Sequence, residues 1–383
     1  MARVHWIGAG LSTHPGIRRL ISEGHSVTVW NRTTAKAEEA TAGLEGDFDI
    51  RAFSMEDFAE ALAKGDVAVS MLPGDFHVPV AEICLKAGTN FVSSSYISPE
   101  MRALDARARD LGLTLVNEVG LDPGIDHLMA HMLMDDYRRS EAFASDNKHF
   151  FRSYCGGLSE VKNDFCYKFS WSPLGVLKAL RSPSKSLRCG ADYDVSRPWD
   201  AVEDYEVALP KGRETFEVYP NRDSLPYMSE YGFDDLDTDL FVRGTLRYGG
   251  WSTAWADIFR EVETLEGEAG DRRLAEISAE LWDKYAVGAD EADRVVLCVD
   301  LWAEKNGARV YDKSYVMDAY GDSDHTAMAR LVSIPVSFAV EAVLKGEIGA
   351  GVHAAPEDPA VAGKWLEALQ ARGEQMAIVD HLT

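Results

Sequence analysis

Short apolar runs recur through the first third of the chain, each followed by a turn and then by apolar residues spaced three and four apart. The runs read as buried strands and the spaced residues as helices that face a sheet. Strands are predicted over 4–7, 27–30, 48–53, 66–73, 90–93 and 113–116. Helices are predicted over 17–21, 55–63 and 78–85, with a fourth that Ser98 caps, Pro99 opens and Leu111 ends. Strands alternating with helices give an α/β fold, a Rossmann-like doubly wound parallel sheet. Right-handed crossovers then bring the loops 8–15, 72–76, 94–98 and 118–126 to one edge of that sheet.

The alternation stops after residue 125. Apolar pieces at 153–158, 167–173 and 240–251 lie among polar gaps, with a short helix at 176–180 and a loop at 219–224. Residues 294–303 and 308–317 flank Asn306-Gly307, the sequence of a two-residue hairpin turn. This is an α+β substrate domain with a mainly antiparallel sheet. The acidic stretch 261–290 is expected as an amphipathic helix on its outside. Asp324, His325 and Thr326 open a long helix to Leu344 that Pro335 kinks or splits. Its apolar run, 331–344, holds Ser333, Ser337 and Glu341 and is read as too short to span a bilayer. The expected division is a nucleotide domain over 1–125 and a substrate-binding and dimerisation domain over 126–355. The tail 356–383, a helix and a short strand, is expected to return to the nucleotide domain.

Composition narrows the partners. A chain of 383 residues with net charge −24 suits two domains and disfavours nucleic acid, which needs a basic patch. Five cysteines without CxxC spacing point to a reducing compartment and no zinc ribbon. The first strand runs straight into glycines without a signal-peptide pattern, so the expectation is a cytoplasmic protein with no membrane partner.

The candidate chemistry sits in the loops. Gly8-Ala9-Gly10-Leu11-Ser12 follows the first strand, where glycines let backbone N–H groups approach a pyrophosphate; the usual third glycine falls at Thr13. The second strand ends in Asn31-Arg32-Thr33. A neutral residue followed by arginine suits the 2′-phosphate of NADP and leaves NAD possible. Leu72 and Pro73 end the fourth strand. In the sixth loop, Gly120-Leu121-Asp122-Pro123-Gly124 places Leu121, Asp122 and Pro123 beside a nicotinamide. Asp122 is the candidate acid/base. Asp126, one helical turn later, is a second candidate that caps or orients. His127 and His131 share a helix face without a third ligand, so no metal is expected. Cys155 either lines the site or is a small buried residue. Arg222 lies in a loop between strands.

Beyond these residues the chain resembles the saccharopine reductase family, the glutamate-forming saccharopine dehydrogenases. The matching pieces are Gly8-Ala9-Gly10, Asn31-Arg32-Thr33, Ser94 to Pro99, Val119 to His127, Cys155 to Leu158, Tyr167 to Pro173, Tyr219 to Ser224 and Arg243 to Tyr248. The first four also occur in related amine dehydrogenases; those of the substrate domain are specific. The resemblance implies that saccharopine is oxidised at its secondary amine by NADP, giving an imine that water cleaves to glutamate and 2-aminoadipate 6-semialdehyde. It implies that Arg222 is the main clamp for a substrate carboxylate. It also implies substrate contacts at Ser95, Tyr96, Trp171, Ser172, Thr245 and Arg247, backbone donors at Gly156, and a homodimer. Fungal members look longer, and residues 252–290 read as a reduced form of their helical insertion. Two alternatives stand beside this reading. One is an amine dehydrogenase acting on lysine or a carboxylated polyamine; the other is an NADP-binding sensor or scaffold without catalysis.

Overall fold

The computed structural model describes residues 2–288 and 290–383. In chain order the strands are β1 (Val4–Ile7), β2 (Val27–Asn31), β3 (Phe48–Ala52), β4 (Val67–Ser70), β5 (Asn90–Ser93), β6 (Thr114–Val116), β7 (Lys148–Ser159), β8 (Ser184–Arg188), β9 (Ala191–Val195), β10 (Glu203–Leu209), β11 (Gly212–Pro220), β12 (Asp237–Tyr248), β13 (Asp293–Lys305), β14 (Ala308–Tyr320), β15 (Gly351–His353) and β16 (Met376–Asp380). The helices are α1 (His14–Ser22), α2 (Thr34–Thr41), α3 (Met55–Ala61), α4 (His77–Ala87), α5 (Pro99–Arg102), α6 (Asp105–Leu111), α7 (Ile125–Arg139), α8 (Pro173–Leu180), α9 (Pro226–Glu230), α10 (Trp251–Ala254), α11 (Ala256–Glu263), α12 (Gly267–Tyr285), α13 (Ala327–Leu344) and α14 (Pro359–Gln370). They form two compact units. One holds the residues up to Leu128 with Met328–Glu367, the other Met129–Ala327 with Ala368–Thr383.

The first unit is a parallel sheet in the order β15-β6-β5-β4-β1-β2-β3. Strand order reverses between β1 and β4, the place where doubly wound sheets open a crevice for a nucleotide. β1 and β4 are buried along their whole length, as strands covered on both faces must be. Ile7, Trp30, Phe58, Phe91 and Leu115 share one core there. The six expected strands are present, and β15 adds a seventh beside β6. β15 is only three residues long and starts on a glycine at φ +125°, so it carries no apolar run to read.

The second unit is a mixed sheet ordered β10-β11-β12-β7-β13-β14-β16, with β8 and β9 attached at β12. Only the β12–β7 pairing is parallel among the described residues, in line with the mainly antiparallel expectation. Asn306 and Gly307 both take positive φ, +53° and +78°, in the turn joining β13 to β14. α12 turns Leu274, Ile277 and Leu281 inward and leaves its acidic face in water, as expected of that stretch. Tyr154, Phe216, Leu246, Trp251, Trp255 and Phe259 build the core.

Several boundaries differ from the sequence expectation. The division falls after Leu128 rather than after residue 125. α13, expected in the substrate domain, belongs to the nucleotide unit because it packs on α1. Ser333 Oγ accepts the Gly16 N–H (2.9 Å), and Glu341 pairs with Arg19 (2.8 Å). Pro335 sits inside α13 without dividing it. This helix is long and apolar enough to cross a membrane by length and composition, contrary to the estimate from its apolar run, but 72% of it is buried in the protein. The tail divides. α14 lies mostly in the first unit, while β16 pairs with β14 and covers its open edge. β12 stops at Tyr248, where Gly249 and Gly250 (φ +90°) break it, and Trp251 starts a helix instead of extending the strand.

Candidate active site

At the end of β1 the backbone turns through Gly8 at φ +105°, and a side chain there would meet the Met71 carbonyl at 3.0 Å. Gly10 faces open space, the side a ligand's phosphates need. Leu11 is exposed and Ser12 half-buried beside it. α1 begins at His14, earlier than expected. The third glycine of the motif is therefore not lost. Gly16, inside α1, does its packing work: a Cβ would stand 2.4 Å from the Ser333 carbonyl and 2.7 Å from the Trp6 ring. Asn31 ties the turn to the end of β2, its Oδ1 accepting the Ala9 N–H (3.1 Å) and its Nδ2 donating to the Thr33 carbonyl (2.8 Å). Arg32 is exposed and makes no ion pair among the described residues, so its guanidinium is available for a phosphate. Leu72 is half-buried and Pro73 exposed at the end of β4.

The Asp122 loop is held almost entirely by itself. Gly124 has φ +147°, and a Cβ there would lie 2.1 Å from the Gly120 carbonyl. Gly120 N–H donates to the Pro123 carbonyl (2.9 Å), and Ile125 N–H returns to the Gly120 carbonyl (3.0 Å). The Asp122–Pro123 peptide is cis. Asp126 is fully buried and its Oδ1 accepts the Gly124 N–H (2.7 Å), so it fixes the turn. Asp122 is half-buried, and the Tyr96 hydroxyl donates to its Oδ1 (2.9 Å). Two predicted site residues from different loops are thus in contact.

Glu118 was not legible as a site residue. It takes φ +55°, unusual for a glutamate, and is buried. Its Oε1 accepts the Ile97 N–H (2.7 Å), its own N–H donates to the Ser95 carbonyl (3.1 Å), and Oε2 pairs with His127 Nε2 (3.0 Å). The carboxylate clamps the Ser95-Tyr96-Ile97 segment to the first turn of α7.

In the second unit Arg247 lies on β12, 5% exposed, among Tyr167, Tyr219 and Trp251, whose ring centres stand 4.9, 5.8 and 5.7 Å from its guanidinium carbon. No carboxylate of the described residues pairs with it. Trp171 Nε1 donates to the Tyr167 hydroxyl (3.3 Å), and Asn221 Nδ2 donates to Thr245 Oγ1 (2.7 Å). Burial raises the Tyr219 hydroxyl above its ordinary range, so it stays a neutral donor. Cys155 is half-buried on β7, directly across from Thr245.

Three further predicted residues lie in the second unit. Gly156 is inside β7, where the Leu246 carbonyl would stand 2.4 Å from a Cβ, so it permits close packing of strands. Ser172 caps α8, its Oγ accepting the Gly175 N–H (3.4 Å). Arg222 is exposed, with φ +54°, in the loop after β11.

Residues 4–116 match the model of the saccharopine dehydrogenase NADP binding domain, and residues 120–374 that of the saccharopine dehydrogenase C-terminal domain. The chain belongs to the saccharopine dehydrogenase family. A saccharopine dehydrogenase [NADP(+), L-glutamate-forming] of Pyricularia oryzae is 38% identical over 251 residues, covering 64% of this chain and 54% of that protein. The one from Schizosaccharomyces pombe is 26% identical over 447 aligned positions, covering 97% of this chain and 98% of the relative. That alignment is longer than the 383 residues here, so the relative carries insertions that this family member lacks. The chain spans about half the length of several relatives it matches, as with the Pyricularia protein at 54%. The apo saccharopine dehydrogenase (L-Glu forming) from Saccharomyces cerevisiae superposes with a TM-score of 0.81 at 26% identity, over 99% of this chain and 100% of that one. In this family member the NADP-domain match covers the Gly8 turn, Arg32 and the Ser95-Tyr96 loop, and the C-terminal match covers Asp122, Arg222 and Arg247.

Proposed function

We propose that this saccharopine dehydrogenase family member is an NADP-dependent oxidoreductase that interconverts L-saccharopine with L-glutamate and L-2-aminoadipate 6-semialdehyde. The observation that carries the reading is the Tyr96–Asp122 contact at the strand ends of a sheet whose Gly8 turn and Arg32 suit NADP. When bound, NADP supplies the hydride-accepting nicotinamide. Gly8, Gly10 and the start of α1 would hold its pyrophosphate, and Arg32 its 2′-phosphate. Asp122 accepts the proton that leaves the secondary amine as the C–N bond becomes an imine. It then helps water add to the imine carbon, releasing glutamate and the aldehyde. Tyr96 holds the carboxylate in place for both steps.

Saccharopine brings three carboxylates, and the second unit offers cations of different character. Arg247 is a buried guanidinium without a carboxylate partner among the described residues, while Arg222 is exposed. We assign both to carboxylate binding, with Thr245, Trp171 and the nearby Cys155 around them. None of the five cysteines forms a disulfide, which supports a cytoplasmic setting, and we take the working form to be a homodimer.

The test follows absorbance at the NADPH band with saccharopine and each oxidised cofactor. Turnover with NADP and release of glutamate is expected. Turnover with lysine or a polyamine but not with saccharopine would replace this reading with the amine dehydrogenase one; NADP binding without turnover of any amine would favour a sensor. Arg32→Ala should cut the preference for NADP over NAD by about 10–100-fold. An unchanged preference would remove Arg32 from the cofactor site.

A further inference from the structure

We propose that His77 is a positioning residue that fixes Ser95 as a hydrogen-bond donor toward an anionic oxygen of the substrate. The oxygen is a carboxylate if the function proposed above holds, and the inference rests on that reading.

His77 is the first residue of α4 and is 5% exposed. Its two ring nitrogens meet two hydroxyls: Nδ1 lies 2.9 Å from Ser70 Oγ at the end of β4, and Nε2 lies 2.7 Å from Ser95 Oγ in the loop after β5. Burial pushes the imidazole down to about 4, so the ring is neutral in ordinary buffers. A neutral imidazole has one N–H and one lone pair. One serine must therefore donate to the ring, and the other must accept from it.

Burial decides which. Ser70 is fully buried, and among the described residues its hydroxyl has no partner other than His77. If Nδ1 carried the proton, the Ser70 hydrogen would be stranded in the interior, and a stranded buried donor is costly. So Ser70 donates to Nδ1, the proton sits on Nε2, and Nε2–H donates to Ser95 Oγ. The Ser95 oxygen is then engaged as an acceptor and its own hydrogen points elsewhere. Ser95 is half-buried, so that hydrogen has an outward direction that Ser70 lacks. The residue is also pinned along its backbone. Its N–H donates to Ser93 Oγ (3.0 Å) and its carbonyl accepts from Glu118 (3.1 Å). An oriented hydroxyl with its hydrogen committed outward selects an acceptor and rejects a donor, which favours a carboxylate oxygen over an ammonium group.

The tautomer is measured without substrate. In the full chain with 15N-labelled histidine, long-range proton–nitrogen correlation separates Nε2–H, Nδ1–H and imidazolium rings. The resonance lost in His77→Leu, or displaced in Ser70→Ala should His77→Leu fail to fold, belongs to His77. A neutral Nε2–H ring from pH 6 to 8 is expected; an Nδ1–H ring or an imidazolium would overturn the proposal. Kinetics with L-saccharopine and NADP supply the second arm. Ser95→Ala and His77→Leu should each raise KM about tenfold with kcat little changed, and the double variant should be no worse than either single one. His77→Gln, whose amide donates from a similar place, should recover most of the loss. Additive effects, or no rescue, would show that His77 does not act through Ser95. Failure of saccharopine turnover would remove the proposed function and leave the tautomer measurement standing.

Discussion

The turn around Asp122 and the aromatic box around Arg247 hold their polar groups by opposite means. The turn is held by its own backbone: Gly120 bonds to Pro123 and Ile125, and Asp126 closes the loop by accepting the Gly124 N–H from two residues away. The box is held by side chains from β11, β12, α10 and the segment before α8, brought together only by the folded sheet. The turn aims one carboxylate and gives it one hydroxyl partner. The box buries one guanidinium against ring faces and leaves its charge without a carboxylate, so an incoming anion meets little competition. The first arrangement suits proton transfer, where an atom must be placed within tenths of an ångström. The second suits binding, where charge and desolvation matter more.

If that contrast is right, the two regions respond differently to substitution. Asp122→Asn keeps the Tyr96 contact and removes the proposed base, so kcat should fall by about 10²–10⁴ while KM moves little. A change confined to KM in a steady-state assay would make Asp122 a binding residue and erase the contrast. Gly124→Ala should be nearly as damaging by another route. The added carbon meets the Gly120 carbonyl at 2.1 Å at a φ of +147°, which no flexible side chain relieves. A loss of about 3 kcal/mol in stability, read by denaturant unfolding, is expected together with lost activity. Full stability would mean that the turn has room to rearrange.

Arg247→Met tests the box. Methionine fills similar volume among the rings, and replacing a buried charge by an apolar side chain is often neutral for folding. The expected outcome is an unchanged melting temperature with KM for saccharopine raised about 10–100-fold and kcat nearly kept. A large drop in melting temperature without a change in KM would make the arginine structural.

The same contrast explains what was readable in the sequence. The turn's two glycines, proline and aspartates all fall between Gly120 and Asp126, so their constraint was visible, as were the glycine turn after β1 and the hairpin at Asn306-Gly307. Tyr167, Tyr219, Arg247 and Trp251 are far apart in the chain, and only the resemblance to a family marked Arg247; no period or spacing joins them. β8 and β9 carry no apolar run: β8 is largely polar, and β9 is largely polar and exposed. Glu118 and His77 were hidden for another reason. Glu118 acts through a left-handed backbone and His77 through two hydroxyls, one buried and one half-buried, and neither leaves a pattern in residue order. Motif spacing puts the third glycine at Thr13, whereas helix contact with β1 and α13 decides where it is needed, at Gly16.

The smallest expected effect concerns the frame that carries the turn rather than the turn itself. Glu341 on α13 is held down to about 2 although burial alone would raise it. The opposing causes are hydrogen bonds from Arg19 and His25 and the Arg19 charge, at 2.8 Å and 3.0 Å. A carboxylate with a folded pKa below its unfolded value near 4.5 stabilises the protein above that value and loses its contribution as the pH falls toward 2. Both partners lie on or just after α1, so the loss falls on the nucleotide unit. Glu341→Gln should lower stability at pH 7 by about 1–2 kcal/mol and flatten its dependence on pH between 4.5 and 2. Hydrogen exchange read separately over α1 and over β13 would show where acid acts first. Earlier opening at α1 in the parent chain, abolished as a pH effect in Glu341→Gln, is the expected result; a pH profile unchanged by the substitution would mean that the pair contributes nothing to the nucleotide unit's acid stability.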